Sequence, residues 1–130
     1  PEADRLTEET VAALAELNRT VASVKDQATL QASLPKVRST IARIRSLGEK
    51  AKALEAQGVR PADWRKSAEL APTVRKLTAS LGQEMARVML IPGGDELMIE
   101  LVQLADAQWL PGALQLPVNP LEPAAPDGKQ

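Results

Sequence analysis

Lys36, Arg43 and Lys50 recur every seven residues, and so do Arg38, Arg45 and Lys52. Seven residues are close to two helical turns, so on a helix these six cations form two stripes. Stripes of that kind can hold a polyanion such as nucleic acid or anionic lipid by neutralising phosphates and releasing counterions. Arg60, Arg65, Lys66, Arg75 and Lys76 would extend the surface onto a following helix. A second constellation is Glu96 and Glu100, four residues apart and so on one helix face. Paired carboxylates can bind a hard cation or exchange protons. Gly93-Gly94 precedes the same helix, where free N–H groups can cradle an anion.

Each of these has a plainer reading. The cationic stripes border an apolar line, as the wet face of a bundle helix does, and their long stems can cover the edges of that line. The chain as a whole is slightly acidic, with net charge −1 and pI near 5.6. Residues 36–54 contain no aromatic side chain to stack on a base or anchor in a membrane interface. Asp95 and Glu96 would repel an anion from Gly93-Gly94, which reads as a turn. Glu96 and Glu100 read as the polar strip of an otherwise apolar helix. Met85, Met89 and Trp64 read as core, with an adaptable binding groove as the alternative.

Much chemistry is excluded outright. The chain has no His, no Cys and no Tyr. A Ser-His-Asp or Cys-His nucleophile cannot be assembled from it, nor can a zinc site of the Cys/His kind. Di-metal helix bundles use Glu-x-x-His pairs, which are also out of reach. Neither G-x-G-x-x-G nor a P-loop pattern occurs. An enzyme would have to work with carboxylates, Lys and Arg alone. The expectation is a protein that is not an enzyme and carries no cofactor.

Composition points to helices. There is no Phe or Tyr, only Trp64 and Trp109 are aromatic, and the apolar residues are mainly Leu, Ala, Val and Ile. Ala, Leu, Glu, Lys, Arg and Gln favour helix, whereas sheets favour aromatic and β-branched residues. Charge falls in blocks: net −3 over residues 1–28, +4 over 29–57, +3 over 58–90 and −5 over 91–130. Acidic ends around a basic middle suit acidic helices folded against basic ones. No run approaches the roughly 18 apolar residues of a membrane span, and no stretch reads as a signal peptide. A chain beginning at Pro1 rather than Met reads as a processed or deliberately shortened product, and a removed signal or lipid-attachment segment is one such processing event.

The elements that would position these residues are legible in the periodicity. Thr7 reads as an N-cap, with Glu8 and Glu9 at the positive end of the dipole and Leu6 and Val11 at staple spacing. Leu14, Leu17, Val21, Val24 and Ala28 then form a seam, and the helix is predicted to end near Lys25 or Asp26. A second line runs Leu30, Leu34, Val37, Ile41, Ile44, Leu47, Ala51, Leu54, with Gly58 as its stop. Pro35 should kink or break this helix, and Pro72 should interrupt the third. The third helix starts near Pro61 or Asp63 and carries Val74, Leu77, Leu81, Met85 and Val88 to about Leu90. Pro92, Gly93 and Gly94 make a turn. The fourth helix, Asp95 to about Leu110, is apolar around most of its circumference. It should either fill the middle of the bundle or present a face to a partner, with Leu114, Leu116, Val118 and Leu121 of the tail as partial cover. Pro35-Lys36-Val37-Arg38 and Pro72-Thr73-Val74-Arg75 share Pro-x-Val-Arg 37 residues apart, as a duplication or a shared heptad seam would produce.

The stretch SVKDQATLQASLPKVRSTIARI, followed later by GQEMARVMLI, resembles small exported, lipoprotein-like helical proteins of bacteria. In these a Val-Lys-Asp turn leads into a helix with an Ala/Leu-Pro-x-Val/Leu step. The resemblance spans roughly residues 10–90. It implies an extracytoplasmic location, periplasmic or lipid-anchored, and a helical hairpin or bundle. That family has no assigned activity, and no functional residue carries over.

The predicted fold is all-α: an up-and-down bundle of three long helices plus a shorter apolar fourth over residues 1–110. A Pro-rich extended or disordered tail follows over 111–130. The predicted function is a non-enzymatic interaction or scaffold module that binds a protein partner or itself through Met98, Val102, Trp109 and Leu110. The alternative is polyanion binding through Lys36, Arg38, Arg43, Arg45, Lys50 and Lys52.

Overall fold

The computed structural model describes residues 2–59 and 64–104. They form helix α1 (Glu2–Ala22), α2 (Gln27–Ala56), α3 (Arg65–Val88) and α4 (Gly94–Leu101), the last continuing into a 3₁₀ turn over Val102–Leu104. No strand occurs among the described residues. The Pro-rich tail, Trp109 and Leu110 lie outside them.

Direction alternates along the chain. Glu16 of α1 meets Lys36 of α2 across an antiparallel pair. Thr7 meets Ser67, and Asn18 meets Leu77 and Ser80, so α3 runs parallel to α1. Glu96 meets Gln31 and Glu100 meets Arg38, so α4 runs parallel to α2. Helix α1 packs extensively on both α2 and α3, and α4 packs mainly on α2 and slightly on α3. Helices α2 and α3 scarcely touch. They lie diagonally across the bundle.

The heptad lines become the core. Leu14, Leu17, Val21 and Val24 of the first segment, Leu30 to Ile44 of α2's line, and Val74, Val88, Leu97 and Leu101 form one buried cluster. Leu77, Leu81 and Met85 pack half-buried against it. A second cluster closes the opposite end, where Trp64 is 1% exposed among Ala3, Leu6, Leu47 and Ala51. Ala28, predicted to continue the first seam, is exposed in the first turn of α2.

Helix ends show where local chemistry was misread. Thr7 is not an N-cap. Helix α1 begins five residues earlier, and the Thr7 hydroxyl donates to the Ala3 carbonyl at 3.0 Å and pairs with the Ser67 hydroxyl at 2.9 Å. A buried hydroxyl facing another helix outweighs cap propensity there. The chain leaves α1 at Ala22, and Asp26 caps α2 through a capping box. Asp26 Oδ1 accepts the Thr29 N–H at 2.9 Å, and Thr29 Oγ1 accepts the Asp26 N–H at 3.0 Å. Gly58 is the stop expected of it, with φ +102°. Val59 N–H donates to the Leu54 carbonyl and Gly58 N–H to the Glu55 carbonyl, both at 3.1 Å, a Schellman arrangement whose apolar pair, Leu54 and Val59, packs on the Trp64 cluster.

Pro35 and Pro72 lie inside uninterrupted helices. Each removes one N–H, from the Gln31 and Ala68 carbonyls respectively, and Pro35, Gln31, Pro72 and Ala68 are all exposed, so water can take the vacated acceptors. Helix α3 ends at Val88, not Leu90. The tight turn into α4 needs two glycines: Gly93 has φ +86°, and a Cβ on Gly94 would collide with the Val88 carbonyl. Residues 60–63, where α3 was expected to start, lie outside the described residues; its first helical residue among those described is Arg65, after Trp64.

The Asp26 cap has a testable pH signature. The Thr29 backbone N–H first, and its hydroxyl second, hold the Asp26 carboxyl below the ordinary aspartate value. A carboxyl lowered by folding stabilises the fold fully above its unfolded value, about 3.9, and loses that contribution as pH falls through the folded value. The Tm advantage of wild type over Asp26→Asn should therefore be constant from pH 7 to about pH 5 and shrink under more acidic conditions. An advantage unchanged down to pH 2 would show that the charge contributes nothing.

Candidate functional site

Helix α2 carries both cationic stripes, and the fold uses half of their members internally. Lys36 Nζ lies 2.8 Å from Glu16 Oε2 on α1. That hydrogen bond, and then the charge of Lys36, hold the Glu16 carboxyl below the ordinary glutamate value against a small opposing effect of burial. Arg38 Nε lies 3.0 Å from Glu100 Oε2 on α4, and Arg45 Nη1 donates to Gln103 Oε1 at 3.0 Å. Arg43, Lys50 and Lys52 are exposed, and no carboxylate among the described residues forms an ion pair with them within 4.0 Å. On α3, Lys66 sits 3.6 Å from both Glu8 and Glu69.

This pairing follows from the blocked charge pattern, with acidic α1 and α4 on either side of the basic α2. The second stripe is a fastening for α4 as much as a surface. Glu96 and Glu100 are also fastenings: Gln31 Nε2 donates to Glu96 Oε1 at 2.7 Å, and Glu100 is only 18% exposed beneath Arg38. Glu100 Oε1 accepts a further bond from Gln103 Nε2 at 3.3 Å.

Two open grooves flank α2. One, about 540 Å³, lies against α1 and is lined by Glu16, Arg19, Thr20, Ser33 and Lys36. Its hydroxyls are already committed, Thr20 to the Glu16 carbonyl and Ser33 to the Leu30 carbonyl. The other, about 320 Å³, follows the seam with α4 past Arg38, Arg45, Glu49 and Glu100.

Helix α4 lies at the edge of the bundle, not in its middle. Leu97 and Leu101 face inward and are buried, Met98 is half-buried, and Ile99 and Val102 are 63% and 52% exposed. Of the four residues expected to meet a partner, Val102 is on the open side, Met98 is partly covered, and Trp109 and Leu110 lie outside the described residues. Ile99 belongs with Val102, three residues away on the same face. The sequence did not single it out on a helix apolar nearly all round; once Leu97 and Leu101 are docked inward at i and i+4, residues near 99 and 102 must turn away. Met89 and Leu90, beside the α3–α4 turn, are 62% and 87% exposed. Met89 therefore lines neither the core nor a groove with Trp64, which sits at the opposite end.

No family model, curated protein or solved structure matches this chain.

Proposed function

We propose that the chain is a non-enzymatic helical interaction module whose contact surface is the outer face of α4. The observation that carries this is the exposure of Ile99 and Val102 on a helix already anchored through its opposite face. Clustered exposed apolar side chains with a polar surround mark interaction sites. Asp95 and Glu96 are exposed on α4, which bears no base, so the complementary partner is an amphipathic protein helix with a cationic rim. The resemblance of residues 10–90 to exported proteins supports placing this module outside the cytoplasm.

A fluorescent model helix of Leu and Lys tests this directly. It should bind the wild type, bind Ile99→Ser/Val102→Ser at least tenfold more weakly, and lose affinity when its lysines become glutamates. Binding indifferent to Ile99 and Val102 would overturn the proposal. Heparin serves as the comparison probe. Three uncommitted cations would give a log–log salt slope of about −2 to −3. Tight heparin binding removed by Arg43→Glu/Lys50→Glu would transfer the function to the polyanion reading.

A further inference from the structure

We propose that α4 is an exchangeable helix, which can dock on α2 of a second copy of this chain to give a reciprocally swapped dimer. The argument starts from how α4 is held. Its eight residues are too few to be stably helical alone. Its side-chain fastenings run to α2, through Gln31–Glu96, Arg38–Glu100 and Arg45–Gln103, and it packs only slightly on the helix that precedes it. Helix α4 can therefore leave without dismantling α3, but it must then find another copy of the same site. Leu97 and Leu101 belong to the buried cluster that includes Leu30, Leu34 and Val88, so a vacated site exposes apolar core and demands a replacement of matching shape. That match is a helix with leucines at i and i+4, each preceded by a carboxylate that reaches Gln31 or Arg38.

The hinge supplies the second observation. Closing α4 onto its own chain requires a turn that only Gly93 and Gly94 can make, and glycine loses more conformational freedom than any other residue on being fixed. Beside that turn stand Met89 and Leu90, the latter 87% exposed, which the single chain leaves uncovered. In a swapped pair the two hinges run past each other, and these side chains gain a partner surface. The contacts of α4 with α2 are remade between chains, so concentration decides between the forms. Ile99 and Val102 stay on the outside of either form, so this inference and the proposed contact surface stand or fall separately.

The absence of native cysteine makes the test clean. Gln31→Cys and Glu96→Cys chains are mixed at high concentration, incubated, diluted and treated with a short bismaleimide. A cross-linked pair of unlike chains is expected, in greater yield than from an Arg43→Cys and Glu96→Cys mixture. The double variant Gln31→Cys/Glu96→Cys should cross-link within one chain when dilute. Internal cross-linking of the double variant with no pair from the mixed single variants would overturn the inference. So would failure of the double variant to cross-link internally.

Discussion

Trp64→Ala is expected to lower the unfolding free energy by about 3–5 kcal/mol, the usual cost of emptying a large buried aromatic site. Against a typical total of about 5–15 kcal/mol, that change alone brings the domain near its limit. The reason is local. Trp64 is the largest side chain of the closing cluster, and it fills the end between the start of α1 and the end of α2. Its neighbours Ala3 and Ala51 are too small to collapse into the vacancy. Trp64→Phe should cost much less. It loses volume, but it also removes an indole N–H that is buried without an acceptor among the described residues, a group whose burial costs about 1–3 kcal/mol. Urea melts followed by far-UV circular dichroism decide the matter. An alanine variant within 1 kcal/mol of wild type would mean that the cluster does not close the bundle.

Arg87→Ala should cost about 2–3 kcal/mol, in the range of hydrogen bonds from charged donors to buried or partly buried acceptors. The Arg87 guanidinium reaches from the end of α3 to the end of α1. It donates to the Val24 carbonyl at 2.6 Å, the Val21 carbonyl at 3.2 Å and the Ala22 carbonyl at 3.5 Å. These carbonyls lie at or just beyond the C-terminus of α1, where a cation suits the dipole; the Val21 carbonyl also accepts the Val24 N–H at 3.1 Å. Glu84, one turn back, fixes the guanidinium through its Nε at 2.8 Å and Nη2 at 2.7 Å. Arg87→Lys should recover less than half of the loss, because one ammonium cannot reproduce a planar fork. Full recovery by lysine in the same urea melts would reduce the role of Arg87 to its charge.

The contrast between Leu34 and Arg87 shows which parts of this fold the sequence reveals. Leu30, Leu34, Val37, Ile41, Ile44 and Leu47 are all buried as their spacing requires, because burial of a helix stripe is a one-dimensional property of the chain. Gly58 was legible for the same reason: a positive-φ stop is set by its own backbone. The charge blocks foretold that α2 would pair with acidic neighbours. Arg87 gave no such sign, since its acceptors are backbone carbonyls more than sixty residues away. Thr7 misled because a cap and a buried inter-helix hydroxyl look alike until the partner, Ser67, is known. The prolines break neither helix, because their cost depends on whether water can reach the orphaned carbonyl. On α4, composition alone suggested burial on several sides, and only the docked positions of Leu97 and Leu101 show that Ile99 remains outside.

The polar contacts between α1 and α3 have a consequence for uniqueness. Leucine seams that repeat every seven residues look much the same after a slide of one heptad, about 10.5 Å along a helix, so apolar packing tolerates alternative alignments. Thr7 with Ser67, Asn18 with Leu77 and Ser80, and Arg87 with the end of α1 sit at three heights along that pair. A slide of even one turn, about 5.4 Å, breaks all three at once. It leaves hydroxyl, amide and guanidinium groups facing apolar neighbours. The pair behaves like a key with three unequal teeth: the leucines supply adhesion at any alignment, and the teeth admit one.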